Sequence, residues 1–333
     1  MTKTTRTWLF LGGVLLLIAA LVLRREALSQ WLEYNGIVRR QATVTGSRTG
    51  SVDGLVAMGL TLIFGVLNII NFAHGALMTV GMYLTFFLFS SYGVDPYVSV
   101  LITAPALFVI GLVVQRVIIH PARDAPEHNQ LLLTLGLSLF IQHLLIVLFT
   151  APPRSIRLGY GRGEVGLGPF TVDFPLRIWG TTTTLPKLAA FVFALLLALL
   201  LYLLLKRTDL GKAVRAVAQE RDGAALVGIN VDRINMITFG LGTACVGAAA
   251  SLVLPFFFVD PVAGESFNII AFVTVVLGGM GSVPGALLGG IIIGLTQELG
   301  VVFAPSSSKL LGVFIVFILV LLFRPQGLFG SKT

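Results

Sequence analysis

Apolar stretches about as long as a membrane-spanning helix follow one another along the whole chain. Such a helix needs about 20 mostly apolar residues to cross the hydrocarbon core of a bilayer. The pattern therefore predicts an all-α polytopic membrane protein, a single bundle over residues 1–333 with about eight to ten transmembrane segments. The stretches are Trp8–Leu23, Val52–Ile70, Ala73–Tyr92, Tyr97–Ile119, Leu131–Thr150, Leu185–Leu205, Ile234–Val259, residues 267–303 and Lys309–Phe323.

The N-terminal region is the least regular part of this pattern. Trp8–Leu23 is a little short for a span and could be a signal peptide, but Arg24 follows at once without a clear small-residue cleavage site. We therefore expect an uncleaved first helix. Residues 24–50 are polar and basic, and we expect the second span to begin only at Val52.

A cluster of glycines and a proline interrupts the stretch 267–303. The segment 278–285 reads GGMGSVPG, and proline and glycine together make one straight helix improbable. Broken helices in membranes occur only inside protein or along a cavity. The segment is thus either a tight turn between two ordinary helices or a part of a translocation path, and the candidate path residues are Gly279, Gly281, Ser282, Pro284 and Gly285.

A second group of path candidates is polar. Asn68, Asn71, His74 and Gly75 lie within or beside apolar stretches. Polar groups at membrane depth need partners, so they face the bundle interior or a water-filled path. Two interpretations remain open, which are hydrogen bonding between helices and a discontinuous helix beside a translocation route. The quartet His-Gly-Ala-Leu at residues 74–77 resembles Pro-Gly-Ala-Leu at 284–287, which favours an internal repeat.

The charged segment 206–233 is the strongest candidate for an interaction with a partner. Leu210, Val214 and Val217 recur at helical spacing after a Thr208 cap, which predicts a short amphipathic helix. Gly228 is suited to end a following helix in the left-handed conformation. That second helix could dock into a groove on a partner through the following residues: Glu220, Arg221, Asp222, Gly223, Ala224, Ala225, Leu226, Val227 and Gly228.

Composition and charge exclude several classes of protein. The chain is 56% hydrophobic and only 11% charged, whereas soluble proteins carry about 25% charged residues. This excludes a soluble enzyme, a nucleic-acid-binding domain and a disordered chain. In a membrane protein, we interpret the net charge of +8 as charge on loops that lie beside anionic lipid. The positive-inside rule places segment 206–233 and the C-terminal tail in the cytoplasm.

No reaction centre is visible in the sequence. It contains no Walker sequence, no metal-spaced His/Cys cluster and no nucleophile elbow. Its single cysteine, Cys245, cannot form an internal disulfide. We therefore predict a chain without catalytic residues, cofactor or metal.

Four segments together are similar to the H-type integral permease of bacterial branched-chain amino acid ABC importers. They are residues 59–75 (GLTLIFGVLNIINFAHG), 216–232, 276–290 (VLGGMGSVPGALLGG) and 324–330 (RPQGLFG). The resemblance covers about residues 54–330 in the expected order. The chain departs from the family pattern at residues 24–55, where Asp53 and Gly54 replace expected apolar or aromatic residues.

The resemblance implies a fold, a function and partners. It implies a multi-pass permease of the bacterial cytoplasmic (inner) membrane that carries leucine, isoleucine and valine. It also implies a second, M-type permease chain, two cytoplasmic ATPase subunits and a periplasmic substrate-binding protein. ABC importers carry a cytoplasmic Glu-Ala-Ala-x3-Gly frame, which segment 222–228 fits in part, so segment 220–228 is the expected coupling loop.

Alternatives within and outside this fold remain. Importers of urea, short amides or other small solutes share it, and the sequence does not separate them because the binding protein selects the substrate. A passive channel or an ion-coupled carrier working alone belongs to another class. Neither would need the docking loop, and a carrier would need intramembrane carboxylates.

Overall fold

The computed structural model describes residues 36–330 except 124, 157, 159–162, 168–169, 175, 179–180, 304–308 and 325. The predicted first helix, Trp8–Leu23, lies outside the described residues. The described helices are α1 Gly36–Leu67, α2 His74–Tyr92, α3 Pro96–Val114, α4 Glu127–Phe149, α5 Leu185–Arg207, α6 Asp209–Gln219, α7 Arg221–Leu226, α8 Val231–Val253, α9 Ala263–Gly278, α10 Val283–Phe303 and α11 Lys309–Phe323.

The helices confirm a polytopic membrane protein. In the described part of the chain, seven helical segments are long and apolar enough to span a membrane, and the shorter apolar helices Ala263–Gly278 and Leu310–Phe323 accompany them. The long loop between α4 and α5 contains two short antiparallel hairpins. Their strands are β1 Gly163–Leu167, β2 Phe170–Phe174, β3 Leu176–Ile178 and β4 Thr181–Thr183.

Helix α1 begins well before the predicted position. The expectation of a polar segment up to Val52 is wrong for residues 36–51, because one continuous helix runs from Gly36 to Leu67. The physical reason is close helix packing: Gly46, Gly50 and Gly54 recur every four residues and face the glycines of α10. The same helix carries Arg48 and Asp53, whose side chains are both buried.

Helix α8 forms the centre of the bundle. Most of its length is buried, and it packs against α1, α2 and α3. Small residues permit the close approach at each contact: Gly242 meets Gly59 of α1, Ala250 meets Gly81 of α2, and Gly240 meets Gly111 of α3. In contrast, only about a third of the spanning window of α3, α4 and α5 is buried. Their exposed Leu, Val and Phe side chains form the faces that lipid would cover.

The predicted break between α9 and α10 is confirmed. Helix α9 ends at Gly278 and α10 begins at Val283. Gly279 and Gly281 in the connecting turn have positive φ angles of 99° and 87°, which glycine adopts without steric cost. Gly278 also packs against Gly285, so the two helices form an antiparallel hairpin.

Several connecting segments gather at one end of the bundle. Segment 209–226, the turn 279–282 and the tail 326–330 lie together there, because Arg215, Gly281 and Phe329 border the same cavity. We call this the α6 end. The expectation that segment 206–233 and the tail share one side of the membrane agrees with this arrangement.

Candidate functional site

The turn between α9 and α10 is held from two sides. On one side, a β-carbon on Gly65 of α1 would stand 2.9 Å from the α-carbon of Gly281, so the two backbones touch. On the other side, the tail donates two backbone hydrogen bonds to the end of α9. The N–H of Leu328 bonds the Leu277 carbonyl at 2.8 Å, and that of Phe329 bonds the Gly278 carbonyl at 3.1 Å. These carbonyls would otherwise be unpaired helix-end groups.

Two cavities adjoin this turn at the α6 end. The first, of about 610 Å³, lies between α1, the last turns of α5, α6 and the start of α10. The second, of about 680 Å³, lies between the end of α1, α6, the turn and the tail. Four of the path candidates border one or both of them: Asn68, Gly281, Ser282 and Pro284.

Asn68 ends helix α1 beside the second cavity. Its side chain is exposed, its φ angle is 56°, and its N–H donates to the Phe64 carbonyl at 2.9 Å. Asparagine is one of the few residues besides glycine that adopt this left-handed conformation readily. Asn68 therefore turns the chain out of α1 toward the start of α2.

The other polar candidates are buried at the start of α2. Asn71 Oδ1 accepts a hydrogen bond from the Ala73 N–H at 3.1 Å. His74 Nε2 lies 3.0 Å from the Val56 carbonyl oxygen, and since a carbonyl only accepts, this nitrogen carries the proton. Gly75 packs directly against the Gly264 carbonyl of α9. Asn71 Nδ2 and His74 Nδ1 have no hydrogen-bond partner among the described residues.

The two groups of path candidates lie at different levels of the bundle. His74 contacts α1 at Val56, and the α9–α10 turn contacts α1 at Gly65. These two points are about 14 Å apart along a helix that rises 1.5 Å per residue. Their joint role in a path thus stays a prediction.

Helix α9 connects the two levels. Near its start, Gly264 packs against Gly75, and at its end Gly278 packs against Gly285. Each of the two similar quartets therefore lies at the start of a helix whose glycine contacts α9. This shared geometry supports the predicted internal repeat.

Helix α6 has the predicted amphipathic form. The Thr208 hydroxyl accepts a hydrogen bond from the Gly211 N–H at 3.1 Å and caps the helix. Val214 and Val217 are buried and Leu210 is half-buried, so the apolar stripe faces the bundle. At the solvent-facing start of α6, a hydrogen bond from Lys212 lowers the pKa of Asp209.

Helix α7 contains most of the predicted coupling segment. Ala224 is only 4% exposed and anchors the helix to the bundle, whereas Leu226 and Val227 are 89% and 77% exposed. Gly228 has a φ angle of 86° and its N–H donates to the Ala225 carbonyl, which confirms the predicted left-handed helix end. The charged residues Glu220, Arg221 and Asp222 are exposed on the same short segment.

The sequence did not indicate a polar contact at the start of α8. Asp232, in the first turn of α8, accepts a hydrogen bond from Arg123 at 2.7 Å and lies 3.4 Å from His120. His120 and Arg123 follow α3 in the chain. The contact thus joins the end of α3 to the start of α8. Residues this far apart in the chain leave no local pattern that would predict the contact.

The described residues contain no group of three His, Cys, Asp or Glu side chains placed to hold a metal ion. The cavities at the α6 end are lined by apolar and hydroxyl-bearing side chains together with Arg215 and, in the first cavity, Lys206. The exposed apolar end of α7 lies at the same end of the bundle.

Comparison with known proteins shows to which family the chain is similar. The family described as "Branched-chain amino acid transport system / permease component" matches residues 42–323. The High-affinity branched-chain amino acid transport system permease protein BraD of Pseudomonas aeruginosa is 31% identical over 299 residues, which cover 87% of this chain and 95% of that protein. The corresponding permease protein LivH of Escherichia coli K12 is 31% identical over 302 residues, with the same coverage of both chains.

A second type of permease is more distantly similar. The High-affinity branched-chain amino acid transport system permease protein LivM of Salmonella typhimurium is 26% identical over 296 residues, which cover 82% of this chain and 67% of that protein. No solved structure matches the chain.

Proposed function

The chain belongs to the family of branched-chain amino acid transport permease components, and we propose that it is the H-type permease subunit of an ATP-driven importer for leucine, isoleucine and valine. In this role it forms part of the translocation path and hydrolyses no ATP itself. Hydrolysis belongs to two separate ATPase subunits on the cytoplasmic side. A second, M-type permease chain and a substrate-binding protein complete the importer.

The exposed end of α7 is the observation that carries this proposal. Leu226 and Val227 are almost fully exposed at the α6 end, although both are large and apolar. Exposed apolar side chains surrounded by charged ones are typical of surfaces that a protein partner covers. The chain places them on a short helix that Gly228 ends abruptly, which suits insertion into a groove of an ATPase subunit.

The contacts around α7 suggest how an ATPase would drive the path. Helix α7 is joined directly to α6, and Arg215 and Ala218 of α6 line both cavities at this end. A displacement of α7 would therefore move one wall of each cavity. The Arg123–Asp232 contact joins the segment after α3 to the start of α8, a few residues beyond α7 in the chain.

Transport by the assembled complex tests the proposal. The chain would be reconstituted in proteoliposomes with its second permease, ATPases and binding protein, and uptake of labelled leucine would be measured with and without ATP. We expect ATP-dependent uptake that Leu226→Glu abolishes. Tyr92→Glu serves as the matched control, because Tyr92 is 79% exposed at the opposite end of the bundle, and we expect it to leave uptake unchanged.

Three outcomes would contradict the proposal. Uptake without ATP would indicate a passive channel or an ion-coupled carrier. Uptake of urea or acetamide with no uptake of leucine, isoleucine or valine would assign the complex to another substrate class of the same fold. Normal leucine uptake by Leu226→Glu would remove α7 as the docking helix.

A further inference from the structure

The first cavity combines a largely apolar lining with polar groups from three helices and the α9–α10 turn. Its volume of about 610 Å³ exceeds the size of an aliphatic amino acid. Leu62, Val66, Leu205, Val214 and Val283 supply the apolar wall, and Thr61, Lys206, Arg215 and Ser282 supply polar atoms. We infer that this cavity is a weak site for the carboxylate and branched side chain of the transported amino acid on its way out, an inference that rests on the proposed function.

Thr61 is the first independent indication of a ligand. Its side chain is fully buried, its hydroxyl has no hydrogen-bond partner among the described residues, and it borders the cavity. Helical threonines commonly satisfy their hydroxyl by bonding the carbonyl three or four residues earlier, but Thr61 does not. Because buried polar groups are rarely left unpaired, a rotation of the Thr61 side chain toward the cavity would let a ligand atom pair with this hydroxyl.

The charges around the cavity select an anion. Lys206 and Arg215 line it, and no Asp or Glu is among the described lining residues. Arg215 donates one hydrogen bond to the Leu205 carbonyl, but a guanidinium has five N–H donors in a geometry that matches a carboxylate. Lys206 donates to the Tyr202 hydroxyl at 2.9 Å and adds positive charge.

The start of α10 adds to the preference of the first cavity for an anion. Ser282 precedes the helix, and its hydroxyl accepts from the Gly285 N–H at 3.2 Å. Helix N-termini carry a partial positive charge and favour anions. The amino group of an amino acid finds only hydroxyl and carbonyl oxygens here. The cavity therefore recognises the carboxylate and the apolar side chain, and it contributes little to holding the ammonium group.

Protection of a cysteine from alkylation tests this site in the purified complex. Ala218 lines the cavity and is exposed, so Ala218→Cys in a Cys245→Ser background reports on its occupancy. The rate of modification by iodoacetamide would be measured with L-leucine, 4-methylpentanoate, which lacks the amino group, and isoamylamine, which lacks the carboxylate, at matched ionic strength. Ser91→Cys near the end of α2 is the control position, since Ser91 is exposed and lies outside both this cavity and the proposed docking helix.

We expect leucine and 4-methylpentanoate at millimolar concentrations to slow alkylation at position 218 several-fold, and isoamylamine to have no effect. None of the three compounds should protect position 91. Arg215→Gln and Thr61→Val should each raise the protecting concentration by about tenfold, whereas Arg215→Lys and Thr61→Ser should retain most of the protection. Equal elution volume and thermal midpoint of the four variants would separate this effect from a loss of folding.

The possible results are distinguishable. Leucine import by the complex without protection at position 218 would overturn the site and leave the proposed function standing. Protection by 4-methylpentanoate without import of leucine would support a carboxylate site and overturn the proposed function. Equal protection by isoamylamine would refute recognition of the carboxylate. Protection by added phosphatidylglycerol, with no effect of leucine, would identify the cavity as a lipid site and also overturn the inference.

Discussion

Gly50 of α1 lies directly against the carbonyl oxygen of Gly290 in α10, with no space between them for a methyl group. The contact continues one turn to each side, where Gly46 meets Gly294 and Gly54 meets Leu287. Three such contacts in a row bring the two helix backbones together over about 12 Å, because a helix rises 1.5 Å per residue. In lipid, where apolar surface gains little from leaving the solvent, this close packing is the principal source of helix association.

Gly50→Ala should separate α1 from α10. The added methyl group would overlap backbone atoms that cannot rotate away, and overpacking of this kind costs about 1–3 kcal/mol. We expect a lower thermal midpoint of the detergent-purified protein. Gly136→Ala is the matched control, because nothing lies within 4 Å of a β-carbon at that position in α4. An equal loss in both variants would show that helix flexibility, not packing, sets the effect.

Gly228 should tolerate asparagine better than alanine. Its φ angle is 86° and nothing lies within 4 Å of a β-carbon there, so the effect of a substitution is conformational. Alanine in a left-handed conformation costs about 1–2 kcal/mol, and asparagine less. We expect Gly228→Ala to reduce ATP-driven leucine uptake several-fold and Gly228→Asn to retain most of it. Wild-type uptake by the alanine variant would mean that docking does not depend on this helix end.

His74→Leu should destabilise the bundle. The substitution removes the hydrogen bond to the Val56 carbonyl and leaves that buried oxygen with one partner fewer. The expected loss is about 1–3 kcal/mol, measured as the concentration of denaturant at the unfolding midpoint. His143→Leu provides the comparison, because His143 is exposed and its hydrogen bond stays within α4. If the two variants unfold alike, the contact of His74 with α1 contributes little.

Cysteine accessibility should show whether Asn71 borders the path. Ser282 lines both cavities at the α6 end, so Ser282→Cys in a Cys245→Ser background should react with a small polar thiol reagent in every nucleotide state. Asn71 is fully buried, so Asn71→Cys should react only during turnover with ATP and binding protein. A cysteine at position 71 that stays inert throughout would make this segment a packing element.

Features that depend on nearby residues could be predicted from the sequence. The break near Gly281 follows from the backbone properties of glycine and proline, and the left-handed end at Gly228 follows from the same chemistry. The buried stripe of α6, with Val214 and Val217, follows from helical periodicity. In each case the deciding residues lie within two helical turns of one another.

Features that depend on distant residues could not be predicted. The polar residues near Arg48 indicated a loop, and only the glycines of α10, far along the chain, show that they belong to a packed helix. The unpaired hydroxyl of Thr61 and the Arg123–Asp232 contact likewise depend on which elements meet in space. Small or polar residues at an interface leave no apolar periodicity from which such a meeting could be inferred.

The tail's hydrogen bonds also bear on how the protein is made. The carbonyls of Leu277 and Gly278 are paired with Leu328 and Phe329, which the ribosome adds only after α10 and α11 have been synthesised. Until then, the end of α9 must enter the membrane region with these groups bound to water or to the insertion machinery. The hydrogen bonds of the α9–α10 turn are therefore completed late in biogenesis. A chain that stops before residue 328 would lack both of the tail's hydrogen bonds to the end of α9.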